Sequence, residues 1–207
     1  MRRIFLFLLV VGFSIPAQAN LINNLDGTIT QVKADGTRLM WMQDANYAYT
    51  SGFDPDGTLT NAAAVNWASS LAFAGYSDWR LPVTYQNAAG SGGYNTTSEM
   101  GELYYNDLGN TGGSFANAGP FFNIQPYWYW TGTVFVDPNF VMVFSFLDIP
   151  NSPTNEAGWE DAGDRYAATW TWLVRDVTDT APVPEPSALA LLGLGVAGLG
   201  FIRRKRN

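Results

Sequence analysis

"YWYWTGTVFV" (residues 127–136) is followed, three residues later, by "FVMVFSFL" (residues 140–147). Aromatic and β-branched side chains fill both runs, the composition that suits a pleated surface, and both are expected to be strands. The second run is apolar at odd and even positions alike. Neither of its faces suits water, so it is expected to lie centrally in a sheet and to be covered. A third run, "ATWTWLVR" (residues 168–175), alternates. As a strand it would turn Trp170, Trp172 and Val174 one way and Thr169, Thr171, Leu173 and Arg175 the other.

Upstream, "LDGTITQVKADGTRLMWMQDAN" (residues 25–46) carries turn signals around β-rich segments. Residues 29–32 alternate apolar and polar, Asp35-Gly36 is a hairpin turn signal, and residues 38–42 form the returning strand. Two helices are expected between the hairpin and the later strands. In "TNAAAVNWASSLAFAGYSDWRLP" (residues 60–82), Thr60 or Asn61 can cap the first helix, and Gly75 suits the position after its last turn. Ala64, Ala68, Leu71 and Ala72 would share its buried face. The second helix is expected over residues 98–108, with Thr96 and Glu99 as a capping box and Gly109 as the stop. Residues 84–97 and most of 109–126 read as loop. A hairpin, two helices and then several strands argue for a loop-rich α+β fold, the helices packed on mostly antiparallel strands.

Composition narrows the chemistry. The chain of 207 residues has no cysteine and no histidine. That removes thiol and serine–histidine nucleophile systems and Cys/His zinc sites. The core must hold without disulfides, and its aromatic content of 15% supplies large areas to bury. Six of the eleven basic residues stand near the two ends: Arg2, Arg3, Arg203, Arg204, Lys205 and Arg206. Residues 20–186 hold five basic residues against all eighteen acidic ones, a formal charge of −13. Such a surface repels nucleic acid, which needs clustered Lys and Arg, and sulfated polysaccharide for the same reason. Neutral glycans and divalent cations remain compatible with it.

The ends read as addresses. Arg2 and Arg3 precede an apolar run over residues 4–15, and Ala17-Gln18-Ala19 supplies a small-x-small cleavage site. The order is that of a secretory signal removed after Ala19. Residues 187–202 carry no charge and precede the Arg-Arg-Lys-Arg cluster. A helix of that length reaches about 24 Å, a short membrane span, with the basic cluster held on the cytoplasmic side. Val183, Pro184, Glu185 and Pro186 stand just before it. The Pro-Glu-Pro triplet, the short glycine-rich apolar helix and the terminal basic cluster together resemble the PEP-CTERM sorting signal. That resemblance implies an exosortase-type processing protease as partner, in Gram-negative bacteria that make exopolysaccharide. It also implies a temporary inner-membrane anchor cut near the motif; a permanent anchor is the alternative. The expected organisation is a signal peptide (1–19), a globular domain (20–177), a linker (178–186) and a membrane tail (187–207).

A second resemblance covers about residues 25–177. The hairpin, "AGYSDWRLP", "SEMGELYYNDLGN", "YWYWTGT" and "TWTWLVRDV" resemble, in that order, the Lcl C-terminal domain family. Its most specific motif here is Gly75-Tyr76-Ser77-Asp78-Trp79-Arg80-Leu81-Pro82. An Ala-rich helix followed by Arg-Leu-Pro is also similar to formylglycine-generating-enzyme domains, which implies a C-type-lectin-like fold. The oxidase activity in that wider group needs cysteines, which this chain lacks. The founding adhesin of the first family binds sulfated glycans, which a charge of −13 does not suit.

Three stretches are candidate sites. In residues 75–82, Asp78 and Arg80 are either ligand contacts or internal ties. On the structural reading Gly75 caps the helix, Trp79 and Leu81 are core, Pro82 ends the motif, and Arg80 grips a carboxylate through its planar fork. Asp54-Pro55-Asp56-Gly57 reads as a turn, or as a fragment of a calcium loop that lacks the remaining ligands. In "NEAGWEDAGDRY" (residues 155–166), Trp159 stands among Glu156, Glu160, Asp161 and Asp164 in what reads as an exposed glycine-bearing loop. There Trp159 could stack on a sugar while the carboxylates accept hydroxyl hydrogen bonds; a solvated acidic loop with Trp159 tucked onto the core is the alternative. The aromatic cluster 127–130 reads as core. The expected function is non-catalytic: an exported, exosortase-processed surface or matrix protein that binds a neutral or cationic glycan, with no cofactor and no metal. The alternative is a carboxylate glycosidase acting on exopolysaccharide, which would hold its two carboxyl groups about 5 Å or about 6.5–9.5 Å apart. A purely structural matrix role is the third reading.

Overall fold

The computed structural model describes residues 20–84, 92–148 and 155–178. The expected signal segment with Ala17 and Ala19, the motif Val183, Pro184, Glu185 and Pro186, and the apolar tail lie outside the described residues. Among the described residues no helix is long and apolar enough to cross a membrane. The fold is α+β, mostly strand.

The N-terminal hairpin forms as its sequence predicts. β1 (Asn20–Asn23), β2 (Thr28–Val32) and β3 (Arg38–Met42) follow in order. β2 and β3 pair antiparallel, from Thr28↔Met42 to Val32↔Arg38. The turn closes for the reasons its residue types supply. Gly36 sits at φ +85°, a region costly for residues with a Cβ. Asp35 accepts hydrogen bonds from the Thr37 amide and hydroxyl.

A short helical turn α1 (Tyr47–Thr50) and strand β4 (Thr58–Thr60) lead to α2 (Asn61–Ser70). The Thr60 hydroxyl accepts from the Ala63 amide at 3.4 Å, the N-cap read from the sequence. The helix stops earlier than expected. Leu71 is already extended, and Phe73 and Tyr76 close a tight turn through reciprocal amide–carbonyl bonds of 2.9 Å. Ala74 (φ 52°) and Gly75 (φ 82°) occupy its centre, so Gly75 serves a turn and not the helix end. Leaving the helix swings Phe73 into contact with Tyr47 (4.7 Å) and Trp79 (5.9 Å). Ala64 and Ala68 are buried as expected, but Trp67 completes that face, and Leu71 and Ala72 do not.

β5 (Gly93–Tyr94) breaks the expected loop. The second helix, α3 (Glu99–Gly101), runs on into π-helical turns at Glu102–Asp107. Its cap is Ser98, whose hydroxyl accepts from the Gly101 amide at 2.9 Å, and not Thr96. Gly109, at φ 67°, ends it as predicted.

The remaining strands are β6 (Trp128–Val134), β7 (Phe140–Ser145), β8 (Trp159–Asp164), β9 (Ala168–Trp170) and β10 (Val174–Asp176). Two sheets result, β1-β2-β3-β10 and β4-β9-β6-β7-β8-β5. All pairs are antiparallel except β6 with β9. β7 lies between β6 and β8 with every residue but Phe140 buried, as its two-sided apolarity requires.

Residues 168–175 depart from the single alternating strand. The run divides, giving β9 to the larger sheet and β10 to the smaller, and residues 171–175 are all buried. A segment passing from one sheet to the other is enclosed from both sides, so the alternation of a half-exposed strand is lost. Trp172 fills this junction. It lies edge-on to Trp41 (5.4 Å) and Phe121 (4.9 Å), and its Nε1 donates to the Met42 carbonyl at 2.7 Å. An indole can be buried here because its N–H is satisfied.

Candidate functional site

β8 ends at Asp164 and β9 begins at Ala168, yet β7 and β6 lie between these strands in the sheet. The chain must therefore cross two strands within residues 165–167. The crossing is tied down at the tip of the β6–β7 hairpin, where the Arg165 amide donates to the Asn139 carbonyl (3.1 Å) and its Nη1 to that of Pro138 (2.9 Å). The Asn61 amide, at the start of α2, donates to the Arg165 carbonyl at 3.2 Å. Between this crossing and the sheet lies a cleft of about 300 Å³. That is the small end of the range for ligand sites.

Strand register decides what faces the cleft. Trp130 pairs with Val143, and Val143 with Asp161, so these three form one row across β6, β7 and β8. Trp130 and Val143 are buried and make the floor. Trp128, two residues before Trp130, is on the same face and half-buried, and Tyr127 beside it is 46% exposed. Asp161 and Asp164 are both exposed along the cleft's other side. Each accepts a local backbone bond, Asp161 from Ala162 (2.8 Å) and Asp164 from Tyr166 (2.9 Å). Neither has an ion-pair partner among the described residues. The sequence had pointed to the aromatic cluster 127–130 as core; Tyr129 and Trp130 are buried, but Tyr127 and Trp128 are not.

The stretch 155–166 is not the loop expected from its glycines and charges, because residues 159–164 are β8. Alternation along a strand separates its carboxylates. Trp159 and Asp161 share the cleft face, where Trp159 is half-buried and meets the exposed Tyr94 edge-on at 4.9 Å. Glu160 points the other way and is 2% exposed. Asn95 Nδ2 donates to its Oε2 at 3.2 Å, while Oε1 has no hydrogen-bond partner. Burial raises the Glu160 pKa; the hydroxyls of Ser98 and Thr84 and the Asn95 amide oppose this without closing a bond on Oε1. Glu156 is half-buried, and its carbonyl accepts from the Trp159 amide at 2.8 Å. Of the expected group Trp159, Glu156, Glu160 and Asp161, only Asp161 lines the cleft. The cue that composition missed is spacing: three residues must bridge two strands that are not neighbours.

The 75–82 motif forms a separate cluster. Trp79 and Leu81 are buried, and residue 80 exchanges backbone bonds with Val174 (2.8 and 2.9 Å). The Arg80 guanidinium grips Glu99 through two 2.8 Å bonds and Asp176 through bonds of 3.0 and 2.8 Å. Burial would lower its pKa, but the hydrogen bonds it donates to Glu99 and Asp176 outweigh this and raise it. Asp78 accepts from Arg175 at 2.6 and 3.0 Å, and that pairing holds its carboxyl below the usual range. Arg175 also lies 3.9 Å over the Tyr76 ring. Pro82 offers its carbonyl to the Gly132 amide at 2.8 Å. These contacts tie α3 and the motif to β10.

Asp54 and Asp56 direct oxygens at their own turn. Asp54 accepts from the amides of Asp56 (3.1 Å) and Gly57 (2.8 Å), and Asp56 from the amide and hydroxyl of Thr58. Among the described residues no group of three or more carboxylates is placed to hold a metal ion.

Comparison with known proteins finds one match. Residues 182–206 match the PEP-CTERM protein-sorting motif. No curated protein and no solved structure matches the chain. The motif is the recognition signal of exosortase processing and implies an exported protein, anchored at the membrane and then processed.

Proposed function

We propose that this is a cell-surface or matrix protein of a Gram-negative bacterium whose body is a non-catalytic, adhesive glycan-binding domain. An exosortase-type protease processes its tail, and the glycan is exopolysaccharide of the producing cell. The body is read as a C-type-lectin-like domain of the Lcl C-terminal family, on the ordered motifs of residues 25–177. The observation that carries the binding reading is the cleft. Its exposed Tyr127 and half-buried Trp128 offer ring surface to the apolar face of a sugar, and Asp161 and Asp164 offer acceptors to hydroxyls.

The glycosidase reading is the less favoured one for a geometric reason. Glu160, one of the acids that reading relies on, is 2% exposed on the face of β8 turned away from the cleft, so it cannot flank a glycosidic bond held beside Asp161 and Asp164. The test is retention of the processed protein on immobilised exopolysaccharide, followed by sizing of that polysaccharide. Retention with unchanged polymer length is expected. Shortening of the polymer would favour a hydrolase, and absence of retention would remove the binding role.

A further inference from the structure

We infer that the cleft takes a cationic sugar unit, a hexosamine whose amine is free and not acetylated. This rests on the glycan-binding reading and names its ligand class. Three observations converge on a positive charge. Asp161 and Asp164 border the cleft, stand in water and lack ion-pair partners among the described residues. Arg165, the basic residue of the crossing, directs its Nη1 to the Pro138 carbonyl and pairs with neither. Tyr127 and Trp128 present ring surface to the same space above the buried Trp130, and ring faces attract cations.

The wider field has the same sign. Eighteen acidic residues against five basic ones across residues 20–186 draw cations to the surface and repel anions. An uncharged sugar would use the rings and leave both carboxylates without a counter-charge. A protonated amino sugar uses both: its carbon face meets the rings and its ammonium meets the carboxylates. The volume of about 300 Å³ admits a unit of that size and not a folded partner, so a sugar residue of a chain threading the cleft fits better than a protein surface.

The experiment is isothermal titration of the processed protein with three probes: glucosamine trimer, N-acetylglucosamine trimer and pentalysine. The free-amine trimer is expected to bind about tenfold more tightly than the acetylated one, with a preference that fades as salt rises. Asp161→Asn combined with Asp164→Asn should abolish the preference, bringing the two trimers to equal affinity. Both positions are exposed, and the salt dependence of the unsubstituted protein gives the same readout without any substitution. Equal binding of the two trimers overturns this inference and leaves the glycan-binding reading standing. While the glycan-binding reading stands or falls separately on retention by immobilised exopolysaccharide, failure of both trimers to bind also overturns this inference. Pentalysine binding with the same sensitivity to the double substitution would also overturn it, because the site would then read charge without sugar.

Discussion

The peptide bond between Glu160 and Asp161 joins a carboxylate that is 2% exposed to one in water. Strand alternation alone produces that contrast. In the folded protein the Glu160 pKa is raised above its ordinary value of 4.5, with burial as the main cause. Below that value Glu160 is neutral both folded and unfolded, and it exerts no pH-dependent strain. As pH rises through the raised folded-state pKa, the unfolded chain releases the proton more readily, and stability falls. Glu160→Gln removes the ionisation and keeps the shape. It should raise Tm by a few degrees near pH 8, on the order of 1–2 kcal/mol, with the gain vanishing near pH 4. Melting curves across that range decide it: a pH-independent change would place the effect in packing and not in charge. The sequence lists Glu160 among four similar acids beside Trp159. It shows no single-residue mark separating the inward carboxylate from the outward one, because the face depends on where the strand begins.

At the scale of elements, the second helix shows how far local signals reach. Its start near residue 98 and its stop at Gly109 are legible, since caps and glycine stops act over a few residues. Its π-helical turns are not. Leu108 donates to the Leu103 carbonyl five residues back, and the widening lets two successive tyrosines reach separate partners. The Tyr104 hydroxyl donates to the Ser114 carbonyl at 2.7 Å and the Tyr105 hydroxyl to that of Gly158 at 2.9 Å. Those partners come from distant loops, so the helix's own residues do not announce them. Gly101 is similarly set by its surroundings. Intrinsic propensity favours alanine there by about 1 kcal/mol. A Cβ at that position, however, would run into the Asn95 carbonyl oxygen and the Ser98 hydroxyl that caps the helix. Gly101→Ala should therefore destabilise the protein, by roughly 2 kcal/mol or more, and lower its urea midpoint. A raised midpoint would show that the approach of Asn95 to the helix is dispensable.

At the scale of the molecule, the two sheets of the described residues are joined by a buried run, and the chain carries a surplus of negative charge. The alternation of residues 168–175 is legible as strand, but its division between sheets is a property of the assembled core around Trp172. The charge balance, by contrast, is legible in full. Among the described residues, Lys33 pairs with Glu102, Arg80 with Glu99 and Asp176, and Arg175 with Asp78, all at short range. Most of the acidic residues then act on one another through water over longer distances. Salt separates the two effects. The Debye length falls from about 20 Å at about 20 mM salt to below 10 Å at about 300 mM, a change that removes long-range repulsion first. Contacts such as Arg80 with Glu99, part-buried and bidentate, are screened much less. Sodium chloride over that range should therefore raise Tm at pH 8, because self-repulsion of a surplus charge opposes the compact state. If Tm instead fell with salt, the few ion pairs would outweigh the surplus. The Arg80 and Arg175 clusters would then hold α3 and the 75–82 motif on β10 against a field weaker than the acidic count implies.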